Sequence, residues 1–97
     1  MKVVPDVLEF DWDEGNLDKN RRKHGVTPEE AESVFLDRNS LVIPDRPHSV
    51  AEKRFVIVGR SDKEKHLFII FTRRGDKIRI ISARRMHRKE VRRYGKA

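Results

Sequence analysis

The sequence predicts an α+β fold: two N-terminal helices, one mostly antiparallel twisted sheet and a C-terminal helix, all in a single domain spanning 1–97. Three observations predict it. A short apolar/acidic alternation opens the chain, and two stretches with helix start and stop signals follow. One short and three longer β-rich runs, broken by turn residues, then lead into a basic helical tail.

Each element has its own warrant. Val7-Leu-Glu-Phe-Asp-Trp12 alternates, which puts Leu8, Phe10 and Trp12 on one face of a strand. Asp13 is a natural N-cap for a helix running to His24, and Gly25 is placed to end it. Leu17, Asn20, Arg21 and His24 share one face of that helix, a face with a single apolar residue. Thr27-Pro-Glu-Glu30 starts a second helix, with Thr27 as cap, Pro28 at the first position and Glu30 completing a capping box. Ala31, Val34 and Phe35 form its apolar stripe, and the polar run 37–40 ends it. Residues 40–43 read as a short strand closed by Pro44, 45–49 as a polar loop and 50–53 as a turn.

Residues 54–60 and 66–73 are strands joined by a charged turn at 61–65, which leaves the face carrying Arg60 open. Gly75-Asp76 predicts a two-residue type II′ hairpin that faces Arg73 with Ile78, Thr72 with Arg79 and Phe71 with Ile80. Strict alternation then groups Arg79 with Thr72, Ile70 and Ile81, and puts Ile78, Ile80, Ser82 and Arg84 on the opposite face. Both faces are rich in apolar residues, so both are at least partly covered. A last helix is expected over 87–95.

Composition narrows the function. The chain has 97 residues and a net charge of +7, yet residues 1–72 carry 12 basic and 14 acidic side chains. The excess sits in 73–97, with eleven Lys/Arg against Asp76 and Glu90. Such an end suits a polyanion, and nucleic acid is the first partner to consider. There is no cysteine, hence no disulfide frame and no thiolate nucleophile. No apolar run approaches the roughly 20 residues of a membrane span, and the N-terminus lacks a signal-peptide core. These features fit a cytoplasmic protein with no membrane partner.

No metal motif, glycine-rich phosphate loop or nucleophile elbow is present, and no cofactor is expected. His24, His48, His66 and His87 are too scattered for a zinc pattern. What remains is arginine, with His24, Glu9, Glu90 and Tyr94. An arginine on a strand has a fixed direction, so its guanidinium can grip a phosphate at two points and stabilise charge developing there. RNA brings its own nucleophile, the 2′-OH, and its cleavage needs only a base, an acid and cationic stabilisation. The same residues serve equally for binding without cleavage. Plainer roles exist for each: His24 as a helix C-terminal cap, Arg60 and Arg73 as strand-flanking charges, Arg88, Arg92 and Arg93 as a solvated helix face, Tyr94 and Trp12 as packing groups.

Phe10-Asp-Trp-Asp13, Asn20-Arg-Arg-Lys-His-Gly-Val26, Glu29-Glu-Ala31 with Val34-Phe35, Arg54-Phe-Val-Ile-Val-Gly-Arg60 and Ile78-Arg-Ile-Ile-Ser-Ala-Arg-Arg85 together resemble the BrnT family of type II toxins. The resemblance covers about residues 8–94. It implies a RelE-like fold and an endoribonuclease that arrests growth by cutting RNA. It also implies a BrnA-like antitoxin with a ribbon-helix-helix end, through which operator DNA is contacted indirectly. Carried over residue by residue, it points to His24, Arg60, Arg73 (or its neighbour Arg74), Arg79, Arg84 and Arg85. The resulting expectation assigns catalysis to Arg79, Arg84, Arg60 and His24, with Tyr94 or Glu9 as alternatives to His24 in moving protons. Arg73, Arg85, Arg88, Arg92 and Tyr94 are expected to contact RNA. The competing expectation is a basic module that binds nucleic acid without cutting it, or that acts only with a DNA-binding partner.

Overall fold

A computed structural model of the chain describes residues 8–12, 14–45 and 52–95. The order of elements is β1 (Phe10–Trp12), α1 (Glu14–His24), α2 (Pro28–Val34), β2 (Leu41–Pro44), β3 (Arg54–Arg60), β4 (His66–Arg74), β5 (Lys77–Arg85) and α3 (Arg88–Tyr94). The expected Asp13 cap, the side chains of Leu17, Asn20 and Arg21, and most of the 45–53 loop and turn lie outside the described residues.

The five strands form one sheet in the order β1-β5-β4-β3-β2. Neighbours from β2 to β5 pair antiparallel, while β1 runs parallel to β5 at the edge, Phe10 opposite Ile78 and Trp12 opposite Ile80. Gly25, at φ +65°, and Gly75, at φ +61°, occupy the left-handed region that ends α1 and turns the β4–β5 hairpin, as their positions in the sequence required. Thr27 accepts the Glu30 N–H at 3.2 Å and so caps α2.

One face of the sheet carries the core. Leu67, Ile69 and Phe71 of β4, Ile78, Ile80 and Ala83 of β5 and Ile57 of β3 are buried against Val26, Ala31, Val34 and Phe35. Leu8, Phe10 and Trp12 pack on the same cluster, as their alternation predicted. Each fully buried Leu, Ile or Phe side chain contributes about 1.5–3 kcal/mol, so this layer is the main source of stability. Phe35 stands at its centre, edge-to-face with Phe10 at 5.3 Å and with Phe71 at 5.1 Å. Trp12 Nε1 donates to Glu32 at 2.8 Å and ties β1 to α2. Gly59 lets α2 come close: a Cβ there would stand 2.9 Å from Asp37 Oδ2 and 3.1 Å from Val34 Cγ1.

The hairpin register is the expected one from Arg74–Lys77 to Phe71–Ile80. Beyond it the structure corrects the alternation. Ile70 pairs with Ser82, not Ile81, because a β-bulge between Ile70 and Phe71 sets two residues of β5 against one of β4. Ile81 is the extra residue. Every side chain after it changes face, so Ala83 enters the core while Ser82 and Arg84 join Arg79 on the opposite face. That opposite face is partly covered, with Val56, Val58 and Thr72 buried on it.

A candidate nucleic-acid interface

The bulge gathers arginines. Following the register across the sheet, one row on the face opposite the core reads Asp11, Arg79, Thr72, Arg54, and a second reads Arg84, Phe68, Val58, Leu41. Beyond the second row, Arg60 is paired with His66. Arg54 and Arg79 flank β4, so their Cα atoms are about 10 Å apart, twice the spacing of neighbouring strands. Three arginines assigned from the sequence, Arg79, Arg84 and Arg60, therefore share one surface.

Two of these arginines are held in place. Arg79 donates to Asp11 Oδ2 at 3.1 Å across the β1–β5 pair. Arg84 grips Glu90 with both ends of its fork, NH1 to Oε1 at 2.7 Å and NH2 to Oε2 at 3.0 Å. Arg84 NH1 also donates to the Arg85 carbonyl at 3.1 Å, and its guanidinium stacks 4.1 Å from the centre of the Phe68 ring. The side chains of Arg79 and Arg84 are 20% and 24% exposed, enough to be reached from solvent. Arg60 differs. Its backbone N–H donates to Asp37 Oδ2 at 2.8 Å, its side chain is exposed, and no carboxylate pairs with its guanidinium among the described residues.

The local cause of the Arg60 placement is the turn that follows. The Ser61 hydroxyl accepts the N–H groups of Lys63 and Lys65, both at 3.2 Å, and Glu64 takes a positive φ of 61°. This closes a five-residue loop that sets Arg60 opposite His66. Lys65, at its end, reaches Glu30 at 2.8 Å. Burial works against the Glu30 charge, but the hydrogen bond and charge of Lys65, with the Thr27 N–H and hydroxyl, outweigh it and keep the carboxyl below its usual range.

His24 ends α1 and is half-buried. Partial burial, and then the positive charges of Lys23, Arg84 and Lys19, hold its pKa below the ordinary 6.5. The imidazole is thus neutral near pH 7, and it lies close enough to Arg84 to feel its charge. On the far side of Arg84, the Arg84 hydrogen bond lowers the pKa of Glu90. Partial burial opposes that shift, and the His87 N–H, at 2.8 Å, adds to it.

The remaining expected residues are distributed differently. By register, Arg73 pairs with Ile78 and Arg85 with Leu67, so both belong to the face that carries the core, at its two ends. Arg88 and Arg92 are exposed on α3, one turn apart. Tyr94 ends that helix, with the Arg93 guanidinium 5.4 Å from its ring centre. Glu9 is exposed, and its carbonyl accepts the Ile78 N–H at 2.8 Å.

Sequence reasoning passed over two residues of this surface, Arg54 and His66. Both begin strands whose bounds were legible. The loop of 61–65 hid their face, and only the Ser61 hydroxyl turn signalled it. Among the described residues no three metal-ligating side chains gather. Nor is any helix of the described residues long and apolar enough to cross a membrane.

No curated protein sequence matches the chain. The Brucella abortus ribonuclease toxin BrnT, whose crystal structure is known at 1.1 Å, superposes with a TM-score of 0.65 at 21% identity, over 84% of this chain and 100% of that one. This likeness shows a shared fold. The model of the ribonuclease toxin BrnT of type II toxin–antitoxin systems matches residues 12–90, from the end of β1 to Glu90 in α3. With most of its length, β2 to β5 included, inside that match, the chain belongs to the BrnT family of ribonuclease toxins, whose systems pair each toxin with an antitoxin.

Proposed function

We propose that this toxin is a RelE-like, metal-independent endoribonuclease that cuts RNA through attack of the 2′-OH on the adjacent phosphorus. The 2′-oxygen–phosphorus bond forms and the bond to the 5′-oxygen breaks, leaving a 2′,3′-cyclic phosphate and a 5′-OH. The observation that carries this reading is the bulge at Ile81, which sets Arg79 and Arg84 on one face with Arg60. The guanidiniums bind RNA phosphates along this face and stabilise the negative charge added at the one that is cut. Neutral His24 accepts the proton of the 2′-OH, with Tyr94 or Glu9 as its alternatives, and the departing 5′-oxygen takes a proton from water, to which the imidazolium returns the one it took. Arg88, Arg92 and the outlying Arg73 and Arg85 extend the contact along the RNA backbone.

The cellular setting follows the same reading. RNA cleavage in the cytoplasm lowers translation and arrests growth. A BrnA-like antitoxin with a ribbon-helix-helix end neutralises the toxin and makes the operator contact. The pairing of Arg79 with Asp11 and of Arg84 with Glu90 favours a second reading, in which these arginines are structural and the chain binds RNA without cutting it.

Incubation of purified protein with messenger RNA in excess EDTA separates the two. Arg84 is a poor first variant, because losing it also frees Glu90 and α3. Arg60→Ala is better, since the side chain is exposed and no carboxylate among the described residues pairs with it. Wild type should yield cyclic-phosphate ends, and Arg60→Ala should cut more slowly by on the order of 100-fold, the low end of what one charge-stabilising donor contributes. RNA retention without any cut by wild type supports the binding module instead.

A further inference from the structure

Arg84 presents a carboxylate with the geometry it would present to a phosphate. Two parallel N–H···O bonds at 2.7 and 3.0 Å use the fork that also matches two phosphate oxygens. Phe68 covers one flat side of the guanidinium at 4.1 Å, and the Arg85 carbonyl takes a further bond from NH1. While Glu90 is in place, a phosphate cannot engage the same fork at two points.

The helix that delivers Glu90 is weakly attached. α3 buries none of its residues. It starts three residues after β5 ends, so the chain leaves it little slack but no packing layer. Its cations Arg88, Lys89, Arg92 and Arg93 lie near Arg84 and Arg85 in sequence, a run of like charge. Glu90 is the one acid in the last 21 residues, and it pairs with Arg84 on the sheet.

We propose that Glu90 is an internal competitor for the RNA phosphate: the Arg84 fork holds either Glu90 or the substrate, and exchange releases α3. Once released, the helix brings its four cations to the RNA backbone. The charge that Glu90 gives up at Arg84 is replaced by the phosphate, so the arginine stays paired in both states. Glu90 thereby sets how tightly RNA must be offered before the site opens. This inference rests on the reading of Arg84 as a phosphate ligand.

The test uses the full chain and a short mixed-sequence 2′-O-methyl RNA, which lacks the nucleophile and reports binding alone. Affinity is measured by fluorescence anisotropy at one ionic strength for wild type, Glu90→Gln, Asp76→Asn, Arg84→Lys and the Arg84→Lys/Glu90→Gln double variant. Gln keeps the acceptor that caps α3, so the helix remains formed. Asp76→Asn removes the same charge from the exposed hairpin turn and corrects for net charge. Glu90→Gln should tighten binding about fivefold, the size of one weak ion-pair contact, and Asp76→Asn by less than about twofold. The gain should vanish in the Arg84→Lys background. Equal gains from Glu90→Gln and Asp76→Asn, or weaker binding by a folded Glu90→Gln, overturn the proposal. Hydrogen exchange on wild type supplies the second readout: α3 amides should lose protection when the oligonucleotide binds, and retained protection also overturns it. Cleavage of unmodified RNA, followed in parallel, fails on its own if the chain is no nuclease.

Discussion

His24 shows how a single residue can move from a structural to a chemical role once its neighbours are known. At the end of α1 beside Gly25 it is suited to capping, and a helix C-terminus ordinarily favours the charged imidazole. Here burial and the cations around it, Arg84 among them, act in the other direction and lower its pKa. The neutral form can take a proton at physiological pH. If His24 is the base, cleavage should rise with pH along an acid limb whose midpoint lies below 6.5, then stay flat, and His24→Gln should remove that limb. A midpoint above 6.5 would exclude His24. The same shift affects stability. The folded chain binds fewer protons at this site than the unfolded chain does, so stability is lost as pH falls below 6.5. Of the arginines, Arg79, Arg84 and Arg60 could be named only through the family resemblance, since strand alternation alone put Arg84 on the face opposite Arg79 and left that of Arg60 open. Arg54 and His66 could not, because their face depends on where a five-residue loop places the next strand.

At the scale of elements, α2 and α3 are held by opposite means. α2 inserts Ala31, Val34 and Phe35 into the core, and Phe35 links β1 to β4 through its ring contacts. Phe35→Ala should cost about 3–5 kcal/mol, read as a lower midpoint in urea unfolding, since the hole it leaves is lined by rings that cannot all close in. α3 has no fully buried residue, only Glu90, Val91 and Tyr94 half-buried, and Glu90 ties it to β5 through Arg84. The folded-state pKa of Glu90 is lowered, so its contribution is complete above the ordinary value of 4.5 and is lost as pH falls through its folded value. α3 amides should therefore lose exchange protection in acid below pH 4.5 while β4 and β5 keep theirs. Simultaneous loss in sheet and helix would show that α3 is attached by more than Glu90. The helix itself was legible over 87–95, and the structure caps it by the Glu90 carboxylate accepting the His87 N–H. Its attachment was not, because the Arg84 partner was expected on the other face.

For the molecule as a whole, the charge layout governs the encounter with RNA. The sheet face offers Arg54, Arg60, Arg79 and Arg84, and α3 adds four more cations at one end. Binding should weaken with salt, with a slope of log K against log salt of about −3 to −4 if about five phosphates of a single strand are neutralised. A slope near zero would mean that the basic end does not meet the RNA backbone. The Brucella toxin shares the fold at only 21% identity, which fits a scaffold whose core pattern tolerates wide change.

The sequence by itself determined the element order, the hairpin register next to Gly75 and the concentration of positive charge after Thr72. All three follow from local chemistry: capping groups, the period of apolar residues, a glycine able to take positive φ, and a count of ionisable side chains. Tertiary structure decided which arginines work together. One extra residue at Ile81 exchanges the faces of everything beyond it, and a bulge carries no composition of its own. Burial of Ala83 in place of Ser82 is what fixes it, and that preference arises only when β5 lies between β4 and β1 with α2 beneath. Arg84 reaches the surface of Arg79 for that reason, and so meets Glu90.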